Sequence, residues 1–360
     1  MEEGRSMTYL PLEIGEKKVK YPIVQGGMGV GVSLGGLAGA VAKAGGLGII
    51  SAAQIGFQEP DFEEHPFEAN LRAIDQEYQK ARSIAPEGVI GFNIMVALQH
   101  YKEYVIQAAK AGADIIISGA GLATELPAYV KDFTTKIAPI VSGERAAQVL
   151  LKMWDKKYQT TADMVVIEGP LAGGHLGFSK EEAVSITEEE YEGTIQKVLQ
   201  VVKEYADKYA KKIPVVVAGG IDTAQKVKCM IELGADGVQV ASPFVATVEC
   251  DVAEGFKQKY VEARKEDVQL VTSPVGMPGR AIRNSFVERV EAGIREPIIK
   301  CYGCIKNCKP AEIPYCITKA LITSARGDAE NGLVFCGANT YKIQSITTVQ
   351  EVIETLLKEC

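Results

Sequence analysis

His175 is one of three histidines in a chain of 360 residues. It stands in "VIEGPLAGGHLGF", residues 166–178, among glycines and other small side chains. An imidazole titrates near neutral pH, so it serves as acid, base or hydrogen-bond partner. Glycine lets another group approach the main chain closely. The combination reads as a ligand-facing loop; a space-filling or helix-capping histidine is the bland alternative. The other two histidines, His65 in "FEEHPFE" and His100 in "ALQHYKEY", lie on polar stretches and read as surface residues at helix edges.

Two further stretches carry chemistry in their backbone. "AGGID", residues 218–222, opens the helical pattern "DTAQKVKCMIELG", and "VQVASPF" follows at 238–244. Free N–H groups in such turns, beside a helix N-terminus, bind a phosphate by directed hydrogen bonds. Arg280 and Arg283 in "SPVGMPGRAIRNSF" either meet an anionic substrate or form ordinary surface ion pairs, and the Pro and Gly punctuation there predicts an irregular loop. Cys301, Cys304, Cys308 and Cys316 are spaced x2, x3 and x7. Three readings stay open: packed reduced thiols, a zinc or iron–sulfur site, or a disulfide. The first is adopted, with no metal assigned.

These residues need elements to hold them. Eight short apolar runs recur along the chain, from "YPIVQGG" through "GLGIISAA" and "VIGFNIMV" to "IPVVVAGG" and "GVQVASPFV". Amphipathic patterns such as "ERAAQVLLKMWDKKY" and "TIQKVLQVVKEYADKY" lie between them. Continuous hydrophobicity marks strands buried on both faces, hence a parallel sheet. Eight such units predict an α/β fold, a (β/α)8 TIM barrel over residues 1–250. A Cys-containing helical and loop extension over the mouth follows at 251–340, and a C-terminal helix packing on the barrel at 341–360. "GGMGVG" imitates a dinucleotide fingerprint, but no acidic residue ends a second strand as an open doubly wound sheet requires. In a barrel the chemistry gathers where strands end. Here those ends are Gly26, Gly27 and Met28, then Asn93, Ser118 and Gly119, Glu168 with His175 beyond it, Gly219 and Gly220, and Ala241 and Ser242.

Composition narrows the partners. Lys plus Arg number 39 against 46 Asp plus Glu, a net charge of -7, which disfavours nucleic acid or an anionic membrane surface. No run of about 18 apolar residues appears, and "MEEGRSMTYL" does not read as a secretory leader. Eight cysteines in 360 residues are not a small disulfide scaffold, and the expected location is cytoplasmic.

Taken together, "PIVQGGMG", "GFNIM", "EGPLAG" followed by "GHLG", "VVVAGGI", "GADGVQVASPFVAT" and "SPVGMPGRAI" resemble the nitronate monooxygenase family, formerly 2-nitropropane dioxygenases. The same motifs are shared with flavin-dependent enoyl-acyl-carrier-protein reductases. The resemblance implies FMN, with its phosphate at Gly219, Gly220, Ala241 and Ser242 and its ring near Gly26, Gly27, Met28 and Asn93. Glu168, Gly174 and Gln239 complete the implied cofactor set, and His175 matches the family's catalytic histidine. "AS" at 241–242 replaces the family's frequent Gly-Thr, and Ala241 still offers its N–H if φ stays negative. "NGLVFCGANTYKI" is similar to the family's closing loop and implies that Cys336, Gly337 and Ala338 return to the flavin. The implied activity is oxidation of alkyl nitronates with O2. The alternative is an NAD(P)H-dependent reduction of an enoyl thioester. Either way the expected partner is a small molecule, and the expected assembly is either a monomer or a homo-oligomer.

Overall fold

A computed structural model describes residues 9–306 and 308–358. Eight parallel strands form its centre: β1 (Ile23–Gln25), β2 (Gly48–Ser51), β3 (Ile90–Asn93), β4 (Ile115–Ser118), β5 (Lys136–Val141), β6 (Val165–Glu168), β7 (Val215–Ala218) and β8 (Gly237–Val240). Each pairs with its sequence neighbours from β2 to β8, and β8 pairs with β1 in the register Val238 with Ile23. A bridge between Val24 and Leu47, just before β2, closes the ring. This is the expected (β/α)8 barrel. Parallel neighbours need crossovers, and helices such as Pro66–Ile84, Glu144–Tyr158 and Glu188–Lys208 supply them.

The two-residue period of a strand divides the core into two layers. Ile49, Ile115, Ile117, Ala138, Val166, Val216 and Ala218 form one buried cluster inside the ring. Their alternates, among them Ile50, Ile116, Ile167 and Val217, belong to a second cluster shared with the helices. The first cluster also contains Leu12, Ile14 and Val19. They come from the hairpin Leu12–Ile14 and Lys17–Val19, which plugs the end where the strands begin. The open end is therefore the one where the strands finish. Continuing the inward parity by one step brings Ser51, Asn93, Glu168 and Gln239 to that end.

The C-terminal helix Val349–Leu357 has a complete capping box, Thr348 with Glu351. It packs against the helices Gly35–Lys43 and Ala224–Glu232. Those helices flank β1 and β8, so the last helix fills the place of the eighth barrel helix. The chain between β8 and it leaves the barrel and returns. Within that excursion the stretch read as an irregular loop is ordered: Val268–Thr272 pairs antiparallel with Pro278–Ile282, and only 273–277 turn. Pro278 misleads because a proline is tolerated as the first residue of a strand. The two-residue strand Gly174–His175 joins the other edge of this hairpin.

Candidate active site

A cavity of about 700 Å³ occupies the open end of the barrel, within the size of a small-molecule site. Every residue of the implied cofactor set lines it, and so does His175, whereas Ser118 is buried against the Tyr101 hydroxyl and does not. From β1 come Gly26, Gly27 and Met28, and from β3 comes Asn93. Glu168 ends β6, with Gly174 and His175 in the loop after it. Gly219 and Gly220 follow β7, and Gln239, Ala241 and Ser242 come from β8 and its loop.

The glycines here serve close approach and unusual torsions. A Cβ on Gly27 would lie 2.2 Å from that of Asn93, so the floor beside β1 must be bare backbone. Gly219 and Gly220 have φ of +100° and +73°, a conformation costly for other residues. Consecutive turns of this kind gather N–H groups into an anion-binding concavity. Ala241 keeps φ at -123°, the negative value its role requires. Two buried acceptors facing this region, Gln239 Oε1 and Asp222 Oδ1, have no partner among the described residues.

The later chain closes one wall. Gly337 N–H donates to Ser242 Oγ at 3.0 Å, and Ala338 N–H donates to the Leu171 carbonyl at 3.2 Å. Asn339 Nδ2 donates to the Gly220 carbonyl, and Lys342 pairs with Asp222 Oδ2 at 2.7 Å. Cys336, Gly337 and Ala338 thus meet the cavity, as the closing-loop resemblance implied.

His175 has little freedom. Its Nε2 is 2.7 Å from Ser273 Oγ, and its ring meets Phe335 edge-on with centroids 4.9 Å apart. Phe335 is held in turn by the Tyr260 hydroxyl, which donates to its carbonyl. Burial disfavours the charged ring and pushes the His175 pKa down to about 4, so the imidazole is neutral at pH 7. Burial acts oppositely on Glu168, raising its carboxyl to about 7 despite the Gly177 N–H that donates to Oε2 at 3.0 Å. Both side chains line the cavity.

Several expectations change. Arg280 neither lines the cavity nor forms a surface ion pair; it is buried, and its guanidinium donates to the Ala172 carbonyl, bracing the His175 loop from behind. Arg283 is an ordinary surface residue, paired with Glu288 at 2.9 Å. His65 is exposed, but His100 is half-buried, its ring tilted against Phe67 with centroids 4.1 Å apart. Cys301 is exposed while Cys304, Cys308 and Cys316 are half-buried. No group of three or more metal-binding side chains among the described residues is arranged to hold an ion. No described helix is long and apolar enough to cross a membrane.

Sequence reasoning missed Ser273, Phe335, Tyr260, Ser51 and Asp222. Ser51 was detectable, since it continues the inward parity of Ile49. Ser273 carried no signal, because its role depends on a pairing between segments about one hundred residues apart.

Comparison with known proteins follows the same outline. The family model described as nitronate monooxygenase matches residues 11–359. A probable nitronate monooxygenase of Staphylococcus saprophyticus is 26% identical over 304 residues, covering 76% of this chain and 78% of the relative. A Mycobacterium tuberculosis protein named (3aS,4S,5R,7aS)-5-hydroxy-7a-methyl-1-oxo-octahydro-1H-indene-4-carboxyl-CoA dehydrogenase is 26% identical, covering 77% and 67%. Among solved structures, FabK from Thermotoga maritima superposes with a TM-score of 0.71 at 26% identity, covering 94% of this chain and 92% of that one.

Proposed function

The chain belongs to the nitronate monooxygenase family, an oxidoreductase family, and from that premise we propose that it is an FMN-dependent enzyme that oxidises alkyl nitronates with O2. The observation that carries the reading is a convergence in one cavity. A histidine held neutral, a left-handed glycine pair and two unpartnered acceptors share the same walls.

The residues fit FMN. The N–H groups of the Gly219–Gly220 turn, with Ala241 and Ser242, would hold its phosphate. Gln239 Oε1 and Asp222 Oδ1 are acceptors suited to the hydroxyls of a ribityl chain. The bare backbone of Gly26 and Gly27, beside Met28 and Asn93, gives a flat ring a close seat, and Glu168 and Gly174 complete the wall. Bound FMN would supply the two-electron acceptor for the substrate. His175 is the proposed catalytic residue: its ring touches substrate and hydrogen-bonds oxygens on which negative charge resides. Met28, Met95, Leu122 and Met277 give the rest of the cavity an apolar lining that excludes water from the alkyl portion.

One observation keeps a second reading in view. The apolar lining also suits an acyl chain, and a relative of similar identity is named for a CoA thioester. In that reading the activity is NAD(P)H-dependent reduction of an enoyl thioester.

Mass spectrometry of the released chromophore tests the cofactor. Noncovalent FMN rather than FAD is expected, since the cavity offers one left-handed glycine pair, Gly219 and Gly220, for one phosphate. FAD, or no flavin after reconstitution, overturns the assignment.

A further inference from the structure

Ser273 is 2% exposed and comes from the turn of the hairpin that leaves the barrel. Its hydroxyl has two contacts among the described residues. Oγ lies 2.7 Å from His175 Nε2 and 3.4 Å from the amide of Val275, which donates to it. A serine hydroxyl has one proton to give and two lone pairs to receive. If His175 carried its proton on Nε2, Oγ would receive two donors. Its own proton would then be buried with no acceptor. If the serine donates instead, its hydroxyl is fully satisfied, and the one proton left without a protein partner is on Nδ1 of a residue that lines the cavity.

We propose that Ser273 fixes His175 as the Nδ1–H tautomer, so that the imidazole offers a ligand a hydrogen-bond donor and no basic lone pair. Nδ1 has no partner among the described residues, and His175 lines the cavity. The neutral state that burial imposes is compatible with this, since an imidazolium would carry protons on both nitrogens.

The consequence concerns substrate class, and it rests on the proposed function. A fixed N–H donor suits an oxygen that already bears charge, as in a nitronate, or one that gains charge, as in a thioester carbonyl. It cannot take the α-proton of a neutral nitroalkane through Nδ1. Ser273 is thus a positioning residue that sets the substrate preference through His175.

The test uses the full chain labelled with 15N-histidine, with and without added FMN, read by long-range proton–nitrogen correlation. With three histidines in the chain, His175→Ala assigns the signals directly. The wild type is expected to show a protonated Nδ1 and a bare Nε2 at His175. Ser273→Ala should lose that pattern and lower kcat/KM for an alkyl nitronate by roughly 10²-fold. Ser273→Thr, which keeps the hydroxyl, should retain both. A protonated Nε2 in the wild type overturns the proposal, as does Ser273→Ala with unchanged tautomer and rate. The wild-type spectrum decides even if Ser273→Ala fails to fold. Failure of the nitronate reading shows separately, as an Nδ1–H signal in a protein that does not turn over nitronate.

Discussion

Gly279 stands directly opposite His175 where the hairpin from the excursion pairs with the loop after β6. A residue of the barrel and one from a hundred positions later therefore share one antiparallel ladder. A Cβ on Gly279 would lie 2.7 Å from the ring of Phe335, the same ring that packs on His175. Gly279→Val should displace Phe335 and the imidazole together while leaving the flavin loops untouched. The expected result is normal flavin content and a fall in kcat/KM of roughly 10-fold or more, as geometry is lost near the reacting atoms. Wild-type turnover by this variant would show that the pairing does not position His175.

The proposed phosphate seat at Gly219 and Gly220 makes a separate prediction. Gly219→Ala forces a side chain into φ near +100° and within 3.0 Å of the Gly169 carbonyl. A left-handed residue costs about 1–2 kcal/mol, so flavin affinity should drop by about 10-fold or more. Fluorescence titration with FMN measures it. Equal loss of riboflavin affinity would place the damage away from the phosphate.

Glu168 predicts a pH dependence of definite sign. Its folded pKa, about 7, lies above the ordinary 4.5, so burying the ionised form opposes folding. The contribution of the neutral carboxyl is present below the unfolded value and is lost as pH rises through about 7. Glu168→Gln should therefore gain thermal stability relative to wild type as pH goes from 5 to 8. Activity with an anionic nitronate should decline over the same range in the wild type, because a carboxylate then faces the cavity, and Glu168→Gln should flatten that limb. His175 runs the other way: its depressed pKa removes stability as pH falls from about 6.5 towards 4. A wild-type profile without an inflection near 7 contradicts the assignment to Glu168.

The thiols predict an inert cluster. Burial raises Cys304 to about 11, so it is protonated and unreactive at neutral pH, whereas Cys301 is exposed. Anaerobically prepared protein should hold no stoichiometric zinc or iron, and a thiol reagent should label Cys301 first. One equivalent of metal, lost in Cys304→Ser, would contradict this.

What could be read from the sequence divides along a physical line. The strand ends, the glycine turns at 219–220, the loop of His175 and the last helix were legible because each depends on local pattern: burial on both faces, left-handed torsion or helical period. The partners of His175 were not. Ser273, Gly279 and Phe335 reach it through strand pairing between distant segments, and Pro278 concealed that strand. Arg280 was misjudged for a related reason: an arginine after "MPG" signals exposure by composition, yet tertiary packing buries it against Ala172. The hairpin that plugs the barrel is three residues per strand, too short for a periodic signal.

The most direct measurement is anaerobic flavin reduction with an alkyl nitronate, NADH and NADPH in parallel, on wild type and His175→Ala. Nitronate is expected to bleach the wild-type flavin, and neither nicotinamide should do so at a comparable rate. His175→Ala should keep its flavin and react with nitronate roughly 10²–10³-fold more slowly, the usual loss of one preorganised donor. Flavin reduced by NADH or NADPH and indifferent to nitronate would contradict the nitronate oxidation and establish the enoyl-reductase reading in its place.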